Sequence, residues 1–176
     1  MTPTCIVESE INNMSRGKAA GLDGLSAEHL QYCHYALPTV LSKLFNLMIH
    51  RGYVPETFCQ SYTVPLLKGN CNIHSKSLSA NDFRGISTSP IISTIFEHCI
   101  LHIYNIFFTS SDNQSGFKKR SGCMHAIHTV RSTFDYFVTR GSTVNVCSLD
   151  LSKAFDKMNH YGLFVKLMDR LFLLIC

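Results

Sequence analysis

The stretch 143–160, TVNVCSLDLSKAFDKMNH, holds the residue with the most chemical content. Val144, Val146, Cys147 and Leu149 form a short apolar run that ends on Asp150, and an amphipathic segment follows at once. A carboxylate at a strand end is held rigidly and leaves room for waters and phosphates, which suits a hard cation such as Mg2+ in phosphoryl or nucleotidyl transfer. The same residue reads equally well as a cap of the next helix. A phosphatase-type Asp-x-Asp nucleophile is a weaker alternative, because the second position is Ser152. Metal chemistry also needs partners for Asp150, since one carboxylate does not hold a cation alone.

Two cations come next. Lys68 ends YTVPLLK and Arg84 sits in NDFRGIS, with a polar loop between them. Read blandly, these are solvated charges at strand ends. Read functionally, they are the two cations of a β-hairpin gripping a triphosphate, with Arg as a bidentate fork and Lys as a point charge. Histidine pairs at His98/His102 and His125/His128, and the isolated Cys71-x-x-His74, lack the three or four converging ligands that zinc requires. They are read as interfacial or core-edge side chains.

The elements that must position these residues follow from periodicity and punctuation. Residues 6–16 suit a short helix, followed by the glycine-marked loop GKAAGLDG. Ser26 caps a second helix to about His34. Pro38 opens a third, with an apolar face from Val40 to Met48 and Gly52 as its stop. Tyr62–Leu67 reads as a strand, edge or bulged because of Pro65, and Phe83–Ser87 as another. Residues 69–82 are polar and aperiodic, a mobile loop. Pro90 starts a helix to about Phe108, and a further helix runs from about Cys123 to Thr139. A strand is expected at 144–149, then a helical segment from Ser152 onward with a break at Tyr161-Gly162. The pattern predicts an α+β fold, mostly helical with a few short antiparallel strands.

Bulk composition narrows the class. A chain of 176 residues with 45% hydrophobic and 16% charged residues is globular, with enough length for one domain. The net charge of +4 is spread out, with Lys118-Lys119-Arg120 the one tight run. Eight cysteines without a C-x-x-C pair, behind an N-terminus with no apolar h-region, read as reduced and mostly buried thiols in an intracellular protein, nuclear or cytoplasmic and not secreted. No run is long enough to cross a bilayer, since Glu97, His98 and His102 break the best candidate, so no membrane partner is expected.

The succession GKAAGLDGLSAEHL, YTVPLLK, NDFRGISTSPIISTIFE, NQSGFKKRSGCMHAI and SLDLSKAFDKMNHYGLFVKL resembles the reverse transcriptase domain of non-long-terminal-repeat (LINE-type) retrotransposons, from about Ile11 to Leu167. The resemblance implies a truncated right-hand polymerase: a helical N-terminal part over about 1–60, a fingers-like part over 61–140 and the start of a palm over 141–176. It implies that Asp150 is the first catalytic aspartate, binding Mg2+ with the Leu151 carbonyl, and that Phe155 lies beneath the incoming sugar and excludes a 2′-hydroxyl. It further implies that Lys68 and Arg84 contact the triphosphate, and that Gln114, Gly116 and Phe117 lie in a template or fingers–palm junction block. Asp23 and Gly24 belong to a mainly structural opening block. The implied partners are an RNA template, a DNA primer and deoxynucleoside triphosphates.

Two departures stand out. Gly85 occupies a position where the family commonly has proline. The family's second carboxylate pair, an aromatic-Ala-Asp-Asp turn, has no counterpart after residue 160. The expectation is therefore a reverse transcriptase fragment without polymerase activity of its own. The alternative is a retroelement-derived, non-catalytic nucleic-acid-binding or scaffold protein, which would bind phosphate backbones in a salt-sensitive way.

Overall fold

The structure, a computed structural model, describes residues 1–69, 78–118, 120–151, 154 and 157–170. It divides into two compact units, Met1–Asn105 and a second that begins at Ile106. Helices and one two-stranded antiparallel sheet make up its regular structure among the described residues.

The first unit is a small helical body carrying a hairpin. Helix α1 spans Thr4–Asn13, α2 Ala27–Gln31, α3 Leu37–Arg51 and α4 Ile91–Ile103. Each donates residues at helical spacing to one core: Val7 and Ile11, Leu30, then Leu41, Phe45 and Met48, then Ile95 and Cys99. Phe45 is fully buried and its ring lies 5.1 Å from that of Phe96, which in turn meets Phe58 from the Glu56–Cys59 3-10 turn. Full burial of a side chain of this size contributes about 1.5–3 kcal/mol, so this cluster is the main source of the unit's stability.

Punctuation in the chain fixes the helix ends. Pro38 stands in the first turn of α3, and Gly52 adopts φ 59°, so the Tyr53 amide closes on the Met48 carbonyl at 3.1 Å. Ser26 caps α2, its amide donating to His29 Nδ1 at 3.0 Å. The start of α1 is also tied down: Asn46 Oδ1 accepts from the Thr2 amide, and Ser42 Oγ and Asn46 Nδ2 donate to the Thr2 carbonyl.

Strands β1 (Tyr62–Leu67) and β2 (Phe83–Thr88) pair antiparallel without a bulge, Tyr62 opposite Thr88 and Leu67 opposite Phe83. The Lys68 amide donates to the Asp82 carbonyl at 2.9 Å, which makes 68–82 a hydrogen-bonded pair. Such pairs alternate along the ladder, so Pro65 and Gly85 face each other at a non-hydrogen-bonded position. The missing Pro65 N–H therefore falls on the outer edge and costs the ladder nothing, which is how this strand tolerates it.

Three contacts join the 17–24 loop to its surroundings in this unit. The Gly17 amide donates to Glu28 Oε1 at 2.6 Å, and the Tyr62 hydroxyl donates to the Ala20 carbonyl at 2.8 Å. Gly21 packs so closely on Ser89 and Pro90 that a Cβ there would lie 2.9 Å from their backbone. The loop is thus fastened to the open end of the hairpin, at the start of β1 and just past the end of β2.

The second unit holds α5 (Cys123–Val138) and α6 (His160–Asp169). None of its described residues is buried. Arg170 anchors α6 by donating from Nη1 to the carbonyls of Phe107 (3.0 Å) and Thr109 (2.7 Å).

Three expectations are corrected. The strand expected at 144–149 is absent: residues 142–151 are neither helix nor strand, and among the described residues the only sheet is β1–β2. A strand needs a neighbour to take its N–H and C=O groups, and alternation in the sequence does not supply one. The break at Tyr161-Gly162 is also absent. Both residues lie in the first turn of α6, because the Asn159 side chain caps the Gly162 amide at 3.0 Å. Finally, Cys5, Cys33, Cys59, Cys123 and Cys147 are exposed thiols, and of the described cysteines only Cys99 is buried. The central part of the expected mobile loop, 70–77, and residues 152, 153, 155 and 156 of the expected helical segment lie outside the described residues.

Candidate functional site

The hairpin brings Lys68 and Arg84 together. Arg84 stands directly opposite Leu66, and Lys68 follows Leu66 by two residues with the ladder still continuous. Side chains alternate along a strand, so both cations share one face, as diagonal neighbours about 7–8 Å apart in a regular ladder. Val64 and Ile86 precede them on that face and are exposed, as are both cations. The opposite face carries a hydrogen bond between the Thr63 and Ser87 hydroxyls at 2.8 Å.

The turn leading into β2 is built to a pattern that the sequence contained but that the sequence reading did not use. Ser79-Ala-Asn-Asp82 has the S-x-x-[DE] spacing of a capping box. In the structure Asp82 Oδ2 accepts from the Ser79 amide at 2.8 Å and from the Ser79 hydroxyl at 3.0 Å. A 3-10 turn over Ala80–Asp82 results. Its Asn81 carbonyl accepts a hydrogen bond from Lys68 Nζ at 2.6 Å.

Gly85 follows Arg84 in β2, opposite Pro65, where an added Cβ would lie 2.9 Å from Thr63 Cγ2. Asp23 and Gly24 occupy the fastened loop; Asp23 Oδ1 accepts from the Leu25 amide at 3.1 Å, and Gly24 has φ 68°. Asp23 also lines a cleft of about 310 Å³ with Leu22, Leu25, Phe58, Pro90 and Ile92.

The remaining predicted site residues belong to the second unit. Gln114 Nε2 donates to the Gly116 carbonyl at 3.1 Å, inside a loop closed by Lys118, whose ammonium is 3.0 Å from Asp112 Oδ1. That ammonium holds the Asp112 carboxyl below its usual range, through the hydrogen bond first and its charge second. Phe117 is 95% exposed and Arg120 is exposed, both in left-handed backbone at φ 56° and 64°. A bulky side chain seldom adopts that conformation. Asp150 and Leu151 lie in the irregular 142–151 segment and are exposed. Phe155 lies outside the described residues.

Mg2+ sites take one or two carboxylates plus waters and substrate oxygens in an octahedron. Among the described residues no three His, Cys, Asp or Glu side chains are grouped to hold a metal ion, and Asp150 stands on an exposed, irregular segment instead of a rigid strand end.

His98 and His102 have a structural partner that spacing alone did not identify. Their side of α4 meets α1, where His102 Nδ1 lies 2.8 Å from Glu10 Oε1 and His98 Nδ1 lies 3.7 Å from Oε2. No helix among the described residues is long and apolar enough to cross a membrane.

No family model matches the chain. Over 167 residues the chain is 25% identical to the RNA-directed DNA polymerase from mobile element jockey of Drosophila funebris. The match covers 91% of this chain, and the chain spans only 18% of that protein's length, so its similarity is to one stretch of a retrotransposon polymerase.

Proposed function

We propose that this chain is the fingers region and first palm motif of a reverse transcriptase derived from a non-long-terminal-repeat retrotransposon, and that its own contribution is to grip a nucleoside triphosphate. The observation that carries the reading is the hairpin register, which gives Lys68 and Arg84 a common face. A planar guanidinium and a compact ammonium on one face complement the oxygens of a polyphosphate. The similarity to the jockey polymerase supports the same reading, as do the five sequence blocks in their order.

In this proposal an α+β polymerase hand supplies the architecture. Gln114, Gly116 and Phe117 serve the template side, and Phe155 takes the family's role of selecting the deoxynucleotide sugar. Asp150, with the Leu151 carbonyl, offers one side-chain ligand for Mg2+, which in a polymerase neutralises the charge developing on the transferred phosphate. Among the described residues no group of three or more His, Cys, Asp or Glu side chains surrounds it, and an ion held by one carboxylate keeps most of its waters and binds weakly. The chain on its own is therefore assigned nucleotide binding without nucleotide addition, its nucleic-acid partners being a template–primer duplex.

Titrating the purified chain with a fluorescent deoxynucleoside triphosphate tests this. Binding is expected to weaken about tenfold in Arg84→Ala, the loss of one charge-assisted contact worth about 1.4 kcal/mol. A primer-extension assay with Mg2+ is expected to give no product. Triphosphate binding indifferent to Arg84→Ala overturns the assignment of the hairpin, and Asp150-dependent incorporation overturns the assignment of inactivity.

A further inference from the structure

We propose that Asp82 is a positioning residue for Lys68: it closes the turn whose Asn81 carbonyl holds the Lys68 ammonium on the cationic face of the hairpin. The identity of the anion that this ammonium would meet rests on the nucleotide-binding reading above; the tether itself does not.

The geometry forms one connected chain. Asp82 Oδ2 takes both the amide and the hydroxyl of Ser79, which winds Ala80–Asp82 into a 3-10 turn. That turn aims the Asn81 carbonyl at Lys68 Nζ, 2.6 Å away. The same residue, Asp82, also accepts the Lys68 amide at its backbone carbonyl, at 2.9 Å. Main chain and side chain of Lys68 are thus held by adjacent residues of one turn.

The physical gain lies in entropy and in charge. A free lysine side chain on an exposed strand end samples many rotamers, and fixing it on ligand arrival costs entropy. An ammonium has three donors, so bonding to one carbonyl leaves two for an incoming anion. The Asp82 carboxylate would repel a phosphate if it faced outward. Its Oδ2 is instead engaged by the Ser79 amide and hydroxyl.

The test uses the full chain with two substitutions of different chemistry. Asp82→Ala removes the acceptor, whereas Asp82→Asn keeps an acceptor oxygen and removes only the charge. Reductive methylation of Lys68, followed by mass spectrometry, reads the tether directly. The expected result is that Asp82→Ala speeds modification of Lys68 about fivefold, as expected for losing a bond of roughly 1 kcal/mol, with Asp82→Asn close to the parent. A cross-strand NOE between Val64 and Ile86 verifies that the hairpin remains formed, and if Asp82→Ala loses it, Ser79→Ala, which removes the hydroxyl that Asp82 holds, carries the test with the same expected rise in Lys68 modification.

Triphosphate affinity gives the second readout. Asp82→Ala is expected to weaken it in the parent and to have no effect in a Lys68→Ala background. An increase in affinity in Asp82→Asn without any change at Lys68 means that Asp82 acts through its charge alone, and overturns the proposal. So does a Lys68 modification rate that ignores Asp82→Ala. Faster modification in a protein that binds no triphosphate upholds the tether and removes the nucleotide reading instead.

Discussion

Helices α3 and α5 are near twins on paper, 15 and 16 residues long and both amphipathic. α3 buries Leu41, Phe45 and Met48, whereas α5 buries nothing among the described residues. The difference lies in what surrounds them. Around α3 stand α1, α2 and α4, each with its own apolar stripe, so Phe45 meets Phe96 and the core closes. Ile127, Val130 and Phe137 of α5 remain 57%, 50% and 43% exposed. An amphipathic pattern specifies which face a helix would bury; a partner decides whether it does.

The largest effect should come from breaking the closed side of this comparison. Phe45→Ala is expected to destabilise the first unit by about 3–5 kcal/mol in a denaturant titration, the usual cost of an emptied aromatic site. The matching change in α5, Phe134→Ala, is expected to cost less than about 1 kcal/mol, because a side chain short of burial loses little transfer energy. Equal costs for the two would erase the distinction.

Alkaline pH gives a second, graded contrast. Burial pushes the Cys99 thiol up from an ordinary 9.0 to about 11, with the Glu10 charge adding to the effect. The unfolded chain therefore ionises this thiol first, so the folded state binds more protons and loses stability as pH rises. The loss begins near pH 9 and is complete above pH 11, on the order of 2 kcal/mol for a shift of this size. Cys99→Ala should flatten this part of a stability–pH curve, while alkylation at the exposed Cys123 should proceed in the native protein.

A smaller effect sharpens the role of the α1–α4 contact. Glu10 is mostly covered, with 14% of its side chain exposed, and it receives His102 at 2.8 Å. Glu10→Gln keeps a hydrogen-bonding amide and is expected to cost about 0.5–1.5 kcal/mol by thermal denaturation, the net value of one such bond. The smallest change tests the hairpin. Gly85→Ala places a methyl group against Thr63 Cγ2 and is expected to cost about 1 kcal/mol, with recovery in a Thr63→Ser background that removes that methyl and keeps the hydroxyl. An additive double mutant would show that the two residues do not meet.

Much of the local structure was legible because its causes are local. The bounds of β1, the proline and glycine at either end of α3, and the Ser26 cap all follow from dihedral preference or from a side chain reaching its own backbone neighbours. The same logic explains a failure: Asn159 is also a local cap, and overlooking it turned the first turn of α6 into an expected break. The strand at 144–149 failed for the opposite reason, since its hydrogen bonds had to come from elsewhere. Burial of the cysteines was likewise inferred from residue type, although exposure depends on what packs above each one.

Sequence alone determined which residues could carry charge to a phosphate, how strand alternation would orient them, and which helix faces were apolar, because each of these depends on residue type and fixed periodicity. Only the tertiary structure decided that Lys68 and Arg84 share one ladder, that the Lys68 ammonium meets the Asn81 carbonyl, and that Glu10 receives a histidine 92 residues away. Those outcomes depend on contacts between distant segments, which no local preference encodes.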